Sequence, residues 1–128
     1  MGGAEMVWVI WHKPTCSTSR WVLAALRDAG IEPEVRDYIA APPTMAELRD
    51  ALAVLGIDAR GLIRRKGTPF AELGLGAPDL SDDALIAAMA AHPILIERPV
   101  VFAPHGAVLC RPKERVHDLI AGGATDRP

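Results

Sequence analysis

The first apolar run, Val7 to Trp11, is short and rich in β-favouring residues, so it predicts a buried strand. A polar loop, His12-Lys13-Pro14-Thr15, follows it, and a helix is expected to start near Cys16. Val22, Leu23 and Leu26 give that helix an apolar stripe, and Gly30 stops it. Val35 to Tyr38 is a weaker second strand. After Pro42-Pro43, Thr44-Met-Ala-Glu47 has the spacing of a capping box and opens a second helix with Leu48, Leu52 and Leu55 inside and Gly56 at its end. The middle of the chain is helical and irregular. Ala59 to Arg65 predicts a short helix carrying Arg60, Arg64 and Arg65, and Ser81-Asp82-Asp83 starts another that buries Leu85, Ile86 and Met89 and stops at His92-Pro93. Pro99 to Ala103 and Ala107 to Cys110, joined by Pro104-His105-Gly106, predict a hairpin. Pro112 suits the first turn of a last helix holding Val116, Leu119 and Ile120.

The order β-α-β-α, a helical insertion, then β-β-α predicts an α/β protein. It resembles a thioredoxin-like mixed sheet with flanking helices, a fold that places its chemistry in the first βα loop. One domain over residues 7–120 is expected, with residues 1–6 as an N-terminal extension and 121–128 as a flexible, Gly-containing tail. Length supports this: 128 residues, half of them hydrophobic, suffice for one core and exclude wholesale disorder.

Charge narrows the partners. Lys and Arg total 14 against 16 Asp and Glu, so binding of nucleic acid by bulk charge is not expected. No apolar run approaches the ~20 residues of a membrane span. The first residues lack the basic stretch of a secretory signal. Two cysteines make no disulfide scaffold, and a cytoplasmic setting is the expectation.

Cys16 carries the candidate chemistry. A thiol that opens a helix meets unpaired backbone N–H groups and the positive helix end, which favour its thiolate. His12, four residues earlier, could add a positive charge or a hydrogen bond, and Ser19, one turn later, could donate to the sulfur. The alternative, a small buried hydrophobe, fits poorly among His12, Ser17, Thr18, Ser19 and Arg20. The motif is C-x-x-S, so no local resolving thiol exists, and Cys110 reads as a strand cysteine facing the core. A C-x5-R phosphatase loop is excluded because Val22 stands where its arginine would be. No Cys and His cluster has zinc spacing, and no glycine-rich loop suits a nucleotide. Arg98 and Arg111 each precede a proline, which holds the backbone extended and restricts where they aim. Guanidinium groups suit tetrahedral oxyanions. Spacing alone leaves open whether these arginines converge on Cys16 or lie solvated on the surface.

His12-Lys-Pro-Thr-Cys16-Ser-Thr-Ser-Arg20 resembles the loop H-N-P-x-C-x-x-S-R of the glutaredoxin-linked arsenate reductases. The resemblance runs on through Tyr38-Ile-Ala-Ala-Pro-Pro-Thr44, Leu62-Ile-Arg-Arg65, Glu72-Leu-Gly-Leu75, Ala91-His-Pro-Ile-Leu-Ile-Glu-Arg-Pro-Val100 and Leu109-Cys-Arg-Pro112. It spans about Val7 to Ile120, in order and with matching spacing. It implies Cys16 as nucleophile, His12 and Ser19 lowering its pKa, and Arg64, Arg98 and Arg111 binding the oxyanion. It also implies a cis peptide before Pro99. Arsenate becomes the expected substrate and arsenite the product, with no bound cofactor, glutathione as co-substrate, glutaredoxin as protein partner, and a monomer as the working form. Lys13 departs from the family's Asn, and the tail beyond the last helix is shorter than some members carry. Three alternatives share the fold, and a purely structural module, the third, would leave Cys16, His12 and the three arginines without use. One is a glutathione-dependent thiol reductase without arsenate activity, against which Cys110-Arg111-Pro112 speaks. The second is a redox-responsive transcription regulator, which would sense through a C-x-x-C pair that this chain lacks.

Overall fold

A computed structural model describes residues 7–122; the expected extension at 1–6 and most of the expected tail lie outside the described residues. Among the described residues four strands form one sheet: β1 (Val9–His12), β2 (Glu34–Asp37), β3 (Val100–Ala103) and β4 (Gly106–Leu109). Five α-helices among these residues flank it: α1 (Ser17–Asp28), α2 (Met45–Leu55), α3 (Ala59–Leu62), α4 (Asp82–Ala91) and α5 (Val116–Ile120). The sheet order is β2-β1-β3-β4, with β1 and β2 parallel and the other pairs antiparallel. A parallel pair needs a crossover, and α1 supplies it, so the β1–α1 loop sits at the carboxyl end of a central strand. This is the thioredoxin-like arrangement expected from the element order. Among the described residues no helix is long and apolar enough to cross a membrane.

Strand alternation divides the core into two layers. Trp11, Val100, Ala107 and Leu109 face α2, α3 and α4 with Leu48, Leu52, Leu62, Leu85 and Met89. Ile10, Val101, Val108 and Cys110 face α1 and α5 with Val22, Leu26, Val116 and Leu119. Successive side chains on a strand point to opposite faces, so adjacent positions such as Ile10 and Trp11 feed different layers. Register therefore matters: a one-residue slip of β1 would exchange the two sets.

The local punctuation works as its residues predict. Gly30 lies just beyond α1 at φ +83°, a left-handed conformation that glycine adopts without steric cost. At α2, the Thr44 hydroxyl accepts from the Glu47 N–H at 3.1 Å and the Glu47 carboxylate accepts from the Thr44 N–H at 2.9 Å. Glu47 also receives Arg36 of β2 at 2.8 and 3.0 Å, so the cap ties the helix to the edge of the sheet. Thr44→Ala is expected to cost about 1 kcal/mol of stability, measured by urea unfolding.

Two expectations need correction. The helix expected over Ala59 to Arg65 ends at Leu62, because the next residues bond to another segment. Arg64 N–H donates to Leu95 C=O at 2.6 Å, Glu97 N–H donates to Leu62 C=O at 2.8 Å, and Ile63 bridges Ile96. Pro112 does not start an α-helix directly. It caps a 3-10 turn over Lys113–Arg115 that leads into α5. The peptide before Pro99 is cis, as the resemblance implies, and so is the one before Pro112.

Candidate active site

The β1–α1 loop is braced at both ends. Cys16 N–H donates to Lys13 C=O at 2.9 Å, which folds 13–16 into a turn. Arg20 reaches back from α1 to donate to Pro14 C=O at 2.9 Å. Lys13, the departure from the family's Asn, turns its ammonium onto the Thr15 hydroxyl at 2.6 Å. The Lys13 N–H points to the buried Ser19 hydroxyl at 3.4 Å.

Cys16 occupies the N-cap of α1 with extended backbone, φ −95° and ψ 121°. It makes no capping hydrogen bond of full geometry. Its sulfur is nevertheless close enough to several donors for the charged form to be favoured. Burial pushes the thiol up, but the Ser19 N–H, the Arg98 side chain, the Ser19 hydroxyl and the Thr18 N–H together outweigh it and lower the pKa to about 7. The sulfur thus takes the place of the side-chain oxygen that normally accepts from those helix N–H groups. The rate of Cys16 alkylation is expected to rise with pH through an inflection near 7, set by thiolate formation. Ser19→Ala removes one donor to the thiolate and should move that inflection upward.

His12 ends β1 and is buried, with Nδ1 making no hydrogen bond. Burial lowers its pKa; Asp37 opposes this, and Arg27 and Arg20 add to it. The imidazole is therefore held neutral, and the donors that lower Cys16 are Ser19, Arg98 and Thr18. Cys110 lies on the opposite side of the problem: fully buried among apolar side chains, its thiol is pushed up to about 12 by that burial, despite Arg115 and Arg111. It is a core residue, as expected, although it lies one position past the end of β4.

The arginines converge because three backbone segments are bonded to one another. Residues 62–64 bond to 95–97, and Cys110 N–H donates to Pro99 C=O at 3.0 Å, which brings the segment around Arg111 alongside Arg98. Arg111 Nε then donates to Arg98 C=O at 2.8 Å. Arg98 is 9% exposed, and its Nε and Nη1 have no hydrogen-bond partner. A buried guanidinium with unspent donors is costly by itself and suits an anion. Arg64 spends Nε on Lys66 C=O at 3.1 Å and donates Nη1 to Glu97 Oε1 at 2.8 Å. Arg111 Nη2 stands 3.5 Å from the same oxygen.

Two residues escaped the sequence reading. Glu97 links Arg64 and Arg111, and its only sequence signal was an acid placed directly before Arg98-Pro99. Tyr38 is fully buried beneath the site and donates its hydroxyl to Ile96 C=O at 3.2 Å. Burial pushes it up to about 12, while Arg98, Cys16, Glu97 and Arg64 all act on it electrostatically.

Fold and site together define a thioredoxin-like protein with an activated cysteine at a helix N-terminus, acted on by a buried arginine. The chain belongs to the ArsC family, whose model matches residues 11–119. A protein of Rhizobium meliloti (strain 1021) named arsenate reductase is 55% identical over 115 residues, covering 90% of this chain and 82% of that one. A protein of Escherichia coli (strain K12) with the same name is 45% identical over 111 residues, covering 87% and 79%. The solved structure of an arsenate reductase from Vibrio cholerae superposes with a TM-score of 0.84 at 46% identity, covering 88% of this chain and 97% of that one.

Proposed function

We propose that the chain is an arsenate reductase of arsenic detoxification, reducing arsenate to arsenite on the single thiolate of Cys16. Arg98 carries the anion assignment, because its side chain acts on that sulfur and keeps two buried donors without a partner. The family and its arsenate-reductase relatives name the oxyanion. Ser19 acts by stabilising the thiolate, and neutral His12 by shaping the loop behind it. Arg64 and Arg111 complete the anion's shell together with Arg98.

The thiolate attacks arsenic(V), an As–S bond forms, and water or hydroxide leaves. Charge neutralisation by the guanidinium groups makes the approach of thiolate to dianion feasible. Glutathione is the proposed co-substrate. Its thiolate attacks Cys16 Sγ, the As–S bond breaks, and the electron pair stays on arsenic as arsenite. Cys16 is left as a mixed disulfide with glutathione. A glutaredoxin thiol attacks the glutathione sulfur and releases Cys16. External thiols are required because Ser19 cannot form a disulfide and Cys110 is buried in the layer under α1. A reducing cytoplasm would supply them, and nothing in the cycle needs a second subunit, a nucleic acid or a membrane.

Steady-state reduction with purified donors tests the reading. Turnover should require glutathione and accelerate with glutaredoxin, and mass spectrometry of trapped protein should find a glutathione adduct on Cys16. Full activity with thioredoxin alone and a Cys16–Cys110 disulfide would overturn the donor assignment. Thiol-transfer activity without arsenate turnover would instead favour the glutathione-dependent thiol reductase.

A further inference from the structure

Glu97 puts a carboxylate among the three arginines proposed to hold the anion. Its Oε1 accepts from Arg64 Nη1 at 2.8 Å and from the Arg98 N–H at 3.2 Å, and lies 3.5 Å from Arg111 Nη2. One carboxylate oxygen thus touches all three arginine-bearing positions. Its side chain is 21% exposed, like that of Arg64, so solvent screens the contacts only in part. Any oxyanion that takes the Arg64 donor competes with Oε1 for the same N–H. The cluster without Glu97 would carry three positive charges, and with it two. Position therefore makes Glu97 a competitor of the ligand as well as a brace for the arginines.

We propose that Glu97 sets how tightly the site holds tetrahedral dianions: its carboxylate cancels part of the charge of Arg64 and Arg111, so that such anions exchange instead of lodging. The arginines grip by charge and hydrogen bonds, which phosphate and arsenate offer alike. Arsenate differs in what Cys16 can do to it after binding. A site that held every dianion strongly would be blocked by phosphate, and one internal counter-charge weakens that hold without removing a donor from Arg98. This inference rests on the proposed function, its arsenate part on the substrate and its anion part on the role given there to the three arginines.

Two neutral variants, Glu97→Gln and Glu97→Ala, and one charged variant, Glu97→Asp, separate charge from bracing. The measurement is protection of Cys16 from iodoacetamide by inorganic phosphate, followed by KM for arsenate and inhibition by phosphate. Both neutral variants should be protected at about tenfold lower phosphate than wild type, the scale of removing one nearby charge at an intermediate dielectric. KM and the phosphate inhibition constant should fall together, while Glu97→Asp stays near wild type. A neutral variant that does not fold, judged by circular dichroism, leaves the other to decide. Unchanged or weaker protection in the folded neutral variants, with KM raised, would overturn the proposal and leave Glu97 as a brace. If the wild type turns over no arsenate while protection still shifts as expected, the arsenate reading fails and the role of Glu97 stands.

Discussion

Cys16→Ser is expected to abolish arsenate reduction, to below about one part in 10⁴ of wild type, because the oxygen is neither a thiolate at neutral pH nor able to form a mixed disulfide. The fold should survive. Cys16 is only partly buried, and serine is a favoured N-cap at the start of a helix such as α1. Circular dichroism and urea unfolding check the fold, and coupled oxidation of NADPH through glutathione reductase checks the activity. Cys110 provides the contrast. Cys110→Ser should keep most activity, since its thiol is pushed up to about 12 and packs against the core. It should nonetheless lose about 1–3 kcal/mol of stability, because a hydroxyl replaces a sulfur in an apolar layer. Comparable loss of activity in both variants would mean that the two cysteines work as a redox pair.

Arg98→Lys is expected to lower kcat/KM for arsenate by about 100-fold, as two charge-assisted bonds of about 1.5 kcal/mol each are lost. Lysine keeps the charge but not the planar fork, and its shorter set of donors cannot serve both the sulfur and the anion. A second signature accompanies the loss. Arg98 is among the groups that lower Cys16, so the alkylation inflection should move up from about 7. Arg64→Lys and Arg111→Lys should cost less, about tenfold each, because each side chain already spends Nε on a backbone carbonyl. Steady-state kinetics of the three variants give the ranking. Equal, small effects in all three would place the anion elsewhere.

Stability should also depend on Cys16. Its folded pKa is depressed, so the thiolate adds stability above the unfolded value, and this contribution is lost as pH falls through about 7.

Much of the fold was legible along the chain because its signals are local. The capping box at Thr44 and Glu47, Ser81 at the start of α4, Gly30 after α1 and the hairpin after Pro99 each depend on neighbours a few residues away. The boundary of α3 was misjudged for the opposite reason. Arg64 and Arg65 are good helix formers, but the backbone there bonds to residues more than thirty positions later, and tertiary pairing overrode propensity.

At the site, the chemistry available could be read along the chain: one reactive cysteine opening a helix, a serine where a resolving thiol would sit, and arginines fixed before two prolines. Those are properties of residue type and short spacing. Only the tertiary structure decided which groups act on which. It brought 62–64, 95–99 and 110–112 together, left two donors of a buried Arg98 unspent, and set Glu97 among the arginines. It also buried His12 and so kept it neutral, where a loop histidine could have been charged. Electrostatic effects of this kind depend on distance and desolvation, and neither is written in the order of residues along the chain.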